Sequence, residues 1–95
     1  MTSYMIVQTF VSDPGGMEEY KRLAFDAVHK YGGKYLSRGG AMEQIEGQWD
    51  VPRVVLLEFP SAARAREFYN SPDYTAARKA REGKAHFVMT LLEAT

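Results

Sequence analysis

The stretch Arg53-Val54-Val55-Leu56-Leu57-Glu58-Phe59, closed by Pro60 and Ser61, decides how the chain is read. Its β-branched and aromatic residues fit a strand, and proline ends the ladder because it has no N–H to donate. Side chains alternate across a strand, so Val54 and Leu56 share one face while Val55, Leu57 and Phe59 share the other. Both faces are therefore apolar. Ala85 to Glu93 repeats the pattern, with Val88 and Leu92 set against Phe87, Met89 and Leu91. Tyr4 to Val11 is likewise apolar on both sides and stops at Ser12-Asp13-Pro14-Gly15-Gly16, a turn cluster.

Between these strands the periodicity changes. Asp13 followed by Pro14 suits a helix start, and Tyr20, Leu23, Ala24, Ala27, Val28 and Tyr31 recur at helical spacing up to Gly32-Gly33. Lys34 to Ile45 reads as a second strand interrupted at Gly39-Gly40, where glycine marks a bulge or a close backbone approach, with the turn at Gly47 to Pro52. Ser61 is placed to cap a helix through Phe68 or Tyr69. Asn70-Ser71-Pro72 breaks that helix and restarts it as a piece running to about Glu82 and ending at Gly83. The order is strand, helix, strand, strand, helix, strand. This is the split βαβ pattern of an α+β ferredoxin-like sandwich, a four-stranded antiparallel sheet whose right-handed crossovers put the helices on one face. Helices on one face leave the other bare, exposing roughly 500 to 800 Å² of apolar surface, at or above what a monomer tolerates. A second copy of the chain is expected to cover it.

Composition bounds the rest. Ninety-five residues make one domain, 1–95, with a thin two-layer core. Twelve basic residues balance twelve acidic ones, so no net field draws the chain to nucleic acid or anionic lipid. The chain has no cysteine, which excludes thiolate catalysis and cysteine metal sites and fits a cytoplasmic location. No uncharged run approaches the roughly 18 to 20 residues of a membrane span.

Arg38-Gly39-Gly40, then Val55 to Ser61, then Phe68-Tyr69-Asn70-Ser71-Pro72-Asp73-Tyr74 with Arg78 and Arg81 beyond, resemble the signature of a small uncharacterised family of the dimeric α/β-barrel superfamily. The likeness runs from Tyr4 to about Leu92. It implies a ferredoxin-like protomer packed sheet to sheet against its twin. The superfamily holds cofactor-independent monooxygenases, lactone isomerases, haem enzymes and sensors, so the resemblance implies fold more than chemistry.

Several side chains are candidates for a site. Glu58 is the only carboxylate in the third strand, and burial would raise its pKa toward general acid or base work; its other reading is a structural pair with Arg38 or Arg53. Arg38 could hold an anion in a bidentate contact. Tyr69, Asn70 and Tyr74 surround the helix break, whose freed N–H groups at Ser71 to Asp73 favour an anion unless Asn70 and Ser71 satisfy them. Tyr74, Ala77, Arg78 and Arg81 share one helix face, which is also what a solvated helix end looks like. Trp49 could cap a pocket or cover a dimer edge. His29 and His86 form no metal-ligand spacing, and no cofactor is implied. The resulting expectation is a homodimer binding a small organic molecule, anionic or aromatic. In an enzymatic version Glu58 or His86 moves a proton while Arg38 or Arg78 stabilises an enolate or carboxylate, as in cofactor-independent oxygenase, isomerase or lyase chemistry. The alternative is a ligand-sensing or structural dimer without turnover.

Overall fold

The computed structural model describes all residues, 1–95. Its strands are β1 (Ser3–Val11), β2 (Lys34–Arg38), β3 (Arg53–Phe59) and β4 (Ala85–Glu93). Its helices are α1 (Glu18–Lys30), α2 (Ala62–Asn70) and α3 (Pro72–Ala80), and a single 3-10 turn at Pro14–Met17 leads into α1. The strands pair antiparallel in the order β2-β3-β1-β4, the ferredoxin-like arrangement, and β1 lies in the middle with Met5 opposite both Leu57 and Leu91.

Register assigns the faces. Ser3, Met5, Val7 and Thr9 of β1 are buried, and they align with Phe59, Leu57, Val55 and Arg53 of β3. On β4 they align with Glu93, Leu91, Met89 and Phe87. This face carries the helices. Ala27, Ala65 and Ala77 have almost no side chain to hold the helices off the sheet, and Phe59, Phe68, Tyr74 and Val28 fill the space between the layers. Phe59 and Phe68 lie 5.1 Å apart between ring centroids, and Phe68 and Tyr74 4.6 Å.

The opposite face carries Tyr4, Ile6 and Phe10 of β1, Val54, Leu56 and Glu58 of β3, and His86, Val88 and Leu92 of β4. No element of the chain covers it. The molecule measures 37 × 35 × 16 Å, and the thin dimension is what one sheet with one helical layer requires. Leu92 is 54% exposed on this bare face.

Local signals act as expected at most boundaries. The Asp13 carboxylate accepts from the Gly16 N–H at 3.2 Å. Gly32, at φ +81°, closes α1, and the Gly33 N–H donates to the Val28 carbonyl at 2.8 Å. A Cβ at Gly33 would stand 2.7 Å from the Phe59 ring, so that close approach needs glycine. At the break between α2 and α3, the buried Ser71 hydroxyl donates to the Phe68 carbonyl at 2.7 Å and accepts from the Tyr74 N–H at 3.0 Å. One side chain thereby satisfies the end of one helix and the start of the next.

The second strand is a correction. It stops at Arg38 instead of running to Ile45, and its bulge lies between Tyr35 and Ser37, not at Gly39-Gly40. Gly39 takes φ +74° and gives its N–H to the Val54 carbonyl at 3.0 Å, the last rung before the chain turns out of the sheet. A side chain there would run into the Arg53 guanidinium. Residues 39–52 then connect β2 to β3 without regular structure, and Ile45 is 83% exposed. No helix is long and apolar enough to cross a membrane.

Candidate functional site

Beneath α1 the two layers do not close fully, and a cavity of about 230 Å³ opens between that helix, α3 and the helix-bearing face of the sheet. Sequence spacing builds it. Tyr20, Ala24 and Val28 recur every fourth residue of α1, so they line one stripe, and the small Ala24 leaves room where a longer side chain would fill it. The sheet contributes Val7 and Thr9, then Arg53, Val55 and Leu57, then Phe87 and Met89, each set at spacing two.

Polarity is graded along the cavity. Val7, Val28, Leu57, Phe68 and Tyr74 are buried, whereas Lys21 and Arg38 are exposed and Arg53 is half-buried, so the basic residues mark the mouth. No carboxylate and no imidazole lines the cavity. The Arg38 guanidinium lies 4.7 Å from the Tyr35 ring centroid and 5.5 Å from that of Phe25, a stack that fixes its plane. Arg53 reaches to 3.5 Å from the Arg38 carbonyl. Neither arginine forms an ion pair; the four ion pairs of the chain are Lys21–Glu18, Arg22–Glu19, Lys30–Asp73 and Arg64–Glu67.

The inner wall holds a pair of tyrosines. The Tyr20 and Tyr74 hydroxyls share a hydrogen bond of 2.6 Å, and Tyr74 also approaches the Met89 sulfur at 3.7 Å. Phe87 meets Tyr20 edge to face with centroids 5.2 Å apart. Burial pushes both phenols above the ordinary tyrosine range, with the neighbouring Tyr74 adding to the effect on Tyr20 and Arg81 opposing it on both. Tyr35 is raised by burial as well, against the lowering influence of Arg38. These hydroxyls are neutral donors at physiological pH, and the only charges facing the cavity are cationic. The arrangement can orient an apolar body carrying a negative group; it has no ordinary proton acceptor of its own.

The sequence candidates divide among four places. Arg38 and Tyr74 line the cavity. Tyr69 and Asn70 line a separate depression with Arg66 and Arg81, and Arg78 lies over the Tyr69 ring. Trp49 sits in the exposed connection 39–52 and lines neither space. Glu58 and His86 are on the bare face, on the other side of the sheet from the cavity. Glu58 stands opposite Lys34 and Tyr4 and forms no ion pair with Arg38 or Arg53. His86 pairs with Phe10, ring centroids 5.9 Å apart. At the helix break the Ser71 N–H goes to the Phe68 carbonyl at 3.2 Å and the Tyr74 N–H to the Ser71 hydroxyl at 3.0 Å, while Pro72 has none to offer.

Tyr20, Tyr35, Lys21 and Arg53 were not singled out by the sequence reading. In the sequence Tyr20 shows only as one member of an apolar stripe, and Arg53 only as a strand start and a structural partner for Glu58. The parity of Arg53 with Val55 and Leu57 was the available signal. No three His, Cys, Asp or Glu side chains converge as metal ligands.

A protein of unknown function from Rhodopseudomonas palustris superposes with a TM-score of 0.75 at 20% identity, covering 99% of this chain and 82% of that one. A dimeric ferredoxin-like protein of unknown function from Jannaschia sp. CCS1 gives 0.67 at 13% identity, covering 99% and 100%. SnoaB, a cofactor-independent oxygenase from Streptomyces nogalater, gives 0.63 at 10% identity, covering 99% and 93%. At such identities these likenesses establish the fold. No curated protein matches the sequence. Residues 2–95 match the family described as a domain of unknown function, DUF1330, and the chain belongs to that family.

Proposed function

We propose that the protein is a cytoplasmic homodimer in which each protomer binds a small organic anion in the cavity beneath α1, its apolar body inside and its negative group at Arg38 and Arg53. One observation carries the ligand half: an apolar cavity ends at a mouth lined by three basic side chains and no acidic one. A planar guanidinium held against an aromatic ring presents a fork that suits a carboxylate. The dimer half rests on the bare face, where Ile6, Leu56, Val88 and Leu92 present apolar side chains around the polar Gln8 and Thr90. Structural relatives described as dimeric support that half.

Likeness to a cofactor-independent oxygenase supports an enzymatic version, in which Arg38 stabilises an enolate or carboxylate. Glu58 or His86 would supply the proton transfer only if a ligand also reached the bare face. The reading without turnover, as a sensor or carrier, is supported by a specific observation: no carboxylate or imidazole lines the cavity.

Thermal shift with aromatic carboxylates and their neutral amides tests the ligand half. A ligand at ten times its Kd stabilises by about 1.4 kcal/mol, a rise in Tm of roughly 6 to 11 °C for a domain of this size. Carboxylates are expected to produce the rise and amides to fail, with Arg38→Gln and Arg53→Gln each removing it. Equal stabilisation by the amides would sink this reading. A monomeric native mass at micromolar concentration would sink the dimer half.

A further inference from the structure

A second depression, of about 280 Å³, shares Phe87 and Met89 with the cavity but opens on its own side, between α2 and strands β1 and β4. Its floor is apolar, with Met5 and Leu91 beside Met89, and its charged lining is Arg66 and Arg81. Arg81 lies 4.3 Å from the Phe87 ring centroid. Arg78 stacks on Tyr69, another lining residue, at 4.5 Å from the ring centroid and donates through Nη1 to the Tyr69 hydroxyl at 3.0 Å.

The hydrogen-bond inventory here is one-sided. The Nε groups of Arg78 and Arg81 are buried and have no acceptor. None of Arg66, Arg78 and Arg81 forms an ion pair, and no Asp or Glu lines the depression. Tyr69 uses its oxygen to accept from Arg78, so its own proton is left to give. The Asn70 amide is turned to the Arg66 carbonyl at 3.0 Å. Buried donors in folded proteins ordinarily have acceptors, and guanidinium groups with no carboxylate partner and an Nε left over leave donors for oxygens brought from outside the chain.

We propose that this depression is a second binding site, for an oxyanion of carboxylate or phosphoryl type on an apolar body, held by Arg81, Arg66 and the Tyr69 hydroxyl, which Arg78 positions, over the Met5–Leu91 floor. It stands apart from the cavity beneath α1, because the basic residues at that mouth come from α1, β2 and β3 and those here, Arg66 and Arg81, from α2 and the turn after α3. Aromatic stacking holds the Arg78 and Arg81 planes in place before a ligand arrives, which reduces the ordering needed on binding.

Calorimetric titration of the full chain with benzoate, phenyl phosphate and inorganic phosphate tests the proposal in an Arg38→Gln background, where the first mouth is disabled. At least one of the aromatic probes is expected to bind, and the stronger of the two identifies the oxyanion; inorganic phosphate alone binds more weakly because it leaves the apolar floor empty. Adding Arg81→Gln weakens that binding by about tenfold or more, and Arg81→Lys recovers only part of it, since the ammonium lacks the fork. Tyr69→Phe, which keeps the stacked ring, weakens it by roughly three- to tenfold and covers the case in which an arginine variant fails to fold. Absence of millimolar binding in the Arg38→Gln protein overturns the site, as does binding that Arg81→Gln and Tyr69→Phe both leave unchanged. The ligand reading of the first cavity stands or falls separately, on the loss caused by Arg38→Gln itself.

Discussion

Tyr20 on α1 and Tyr74 on α3 place their hydroxyl oxygens 2.6 Å apart, although 54 residues separate them in sequence. Each tyrosine belongs to a different βαβ crossover, so the bond ties the two halves of the fold at the inner wall of the cavity. The Lys30 and Asp73 side chains, 3.2 Å apart, the lysine exposed and the aspartate half-buried, join the same two helices at the surface. Of the two ties, the buried one has the greater consequence, because exposed ion pairs contribute little.

Tyr20→Phe keeps the ring edge to face with Phe87 and removes the hydroxyl. Tyr74 then keeps the Met89 sulfur, at 3.7 Å, as an alternative partner. The expected loss is about 1 kcal/mol, or roughly 4 to 8 °C in Tm. Thermal denaturation measures it, and a variant as stable as the wild type would show that the tie contributes nothing.

Stability should fall at alkaline pH. Burial raises the folded-state pKa of Tyr20, Tyr35 and Tyr74 above the unfolded value of about 10. A raised folded pKa gives stability that is complete below the unfolded pKa and lost as pH climbs toward the folded one, because only the unfolded chain releases the protons. Tm is therefore expected to be insensitive to these groups near pH 8 and to decline above about pH 10, and Tyr20→Phe should flatten that decline. The opposite limb belongs to Asp73, whose carboxyl is held below its usual range chiefly by the Lys30 hydrogen bond, so that its contribution is lost as pH falls below about 4.

Ser71→Ala tests the helix break. Ser71 is 4% exposed, and its removal leaves the Tyr74 N–H without its acceptor inside the protein. A loss of about 1 to 2 kcal/mol is expected, at the upper part of the range for caps because no water can substitute. Urea denaturation with an unchanged m value would report it; an unchanged midpoint would contradict the role given to this hydroxyl.

Much of the fold was legible because β3 and β4 advertise two apolar faces and because Pro14, Ser61 and Ser71-Pro72 punctuate the helices at positions the chain uses. The second strand misled for an equally physical reason. Met42 and Ile45 have strand-like side chains, but the positive φ of Gly39 sends the chain off the sheet before they can pair. The site was less legible. Glu58 stands out as the one carboxylate in an apolar run, yet parity puts it with Leu56 on the bare face, while the residues that make the cavity look like ordinary core. Tyr20 and Ala24 declare a cavity only when the helix is laid over the sheet, since a void depends on what two distant segments fail to fill.

Val55 and Leu56 are neighbours in sequence and point to opposite faces, which allows the two halves of the proposed function to be separated by adjacent substitutions. Val55 lines the cavity, so Val55→Phe fills it; stability should hold or rise by about 0.5 to 2 kcal/mol while the carboxylate-induced thermal shift disappears and the dimer persists. Leu56 lies on the bare face, where Leu56→Lys would bury an unpaired charge between two sheets at about 3 kcal/mol or more, raising the dimer Kd at least about 100-fold. Because an exposed lysine on a monomer's open sheet is tolerated, this variant should remain folded and keep its ligand. Analytical ultracentrifugation and thermal shift read both variants. If Leu56→Lys stays dimeric, the subunits meet elsewhere; if Val55→Phe still responds to carboxylates, the ligand does not occupy the cavity beneath α1.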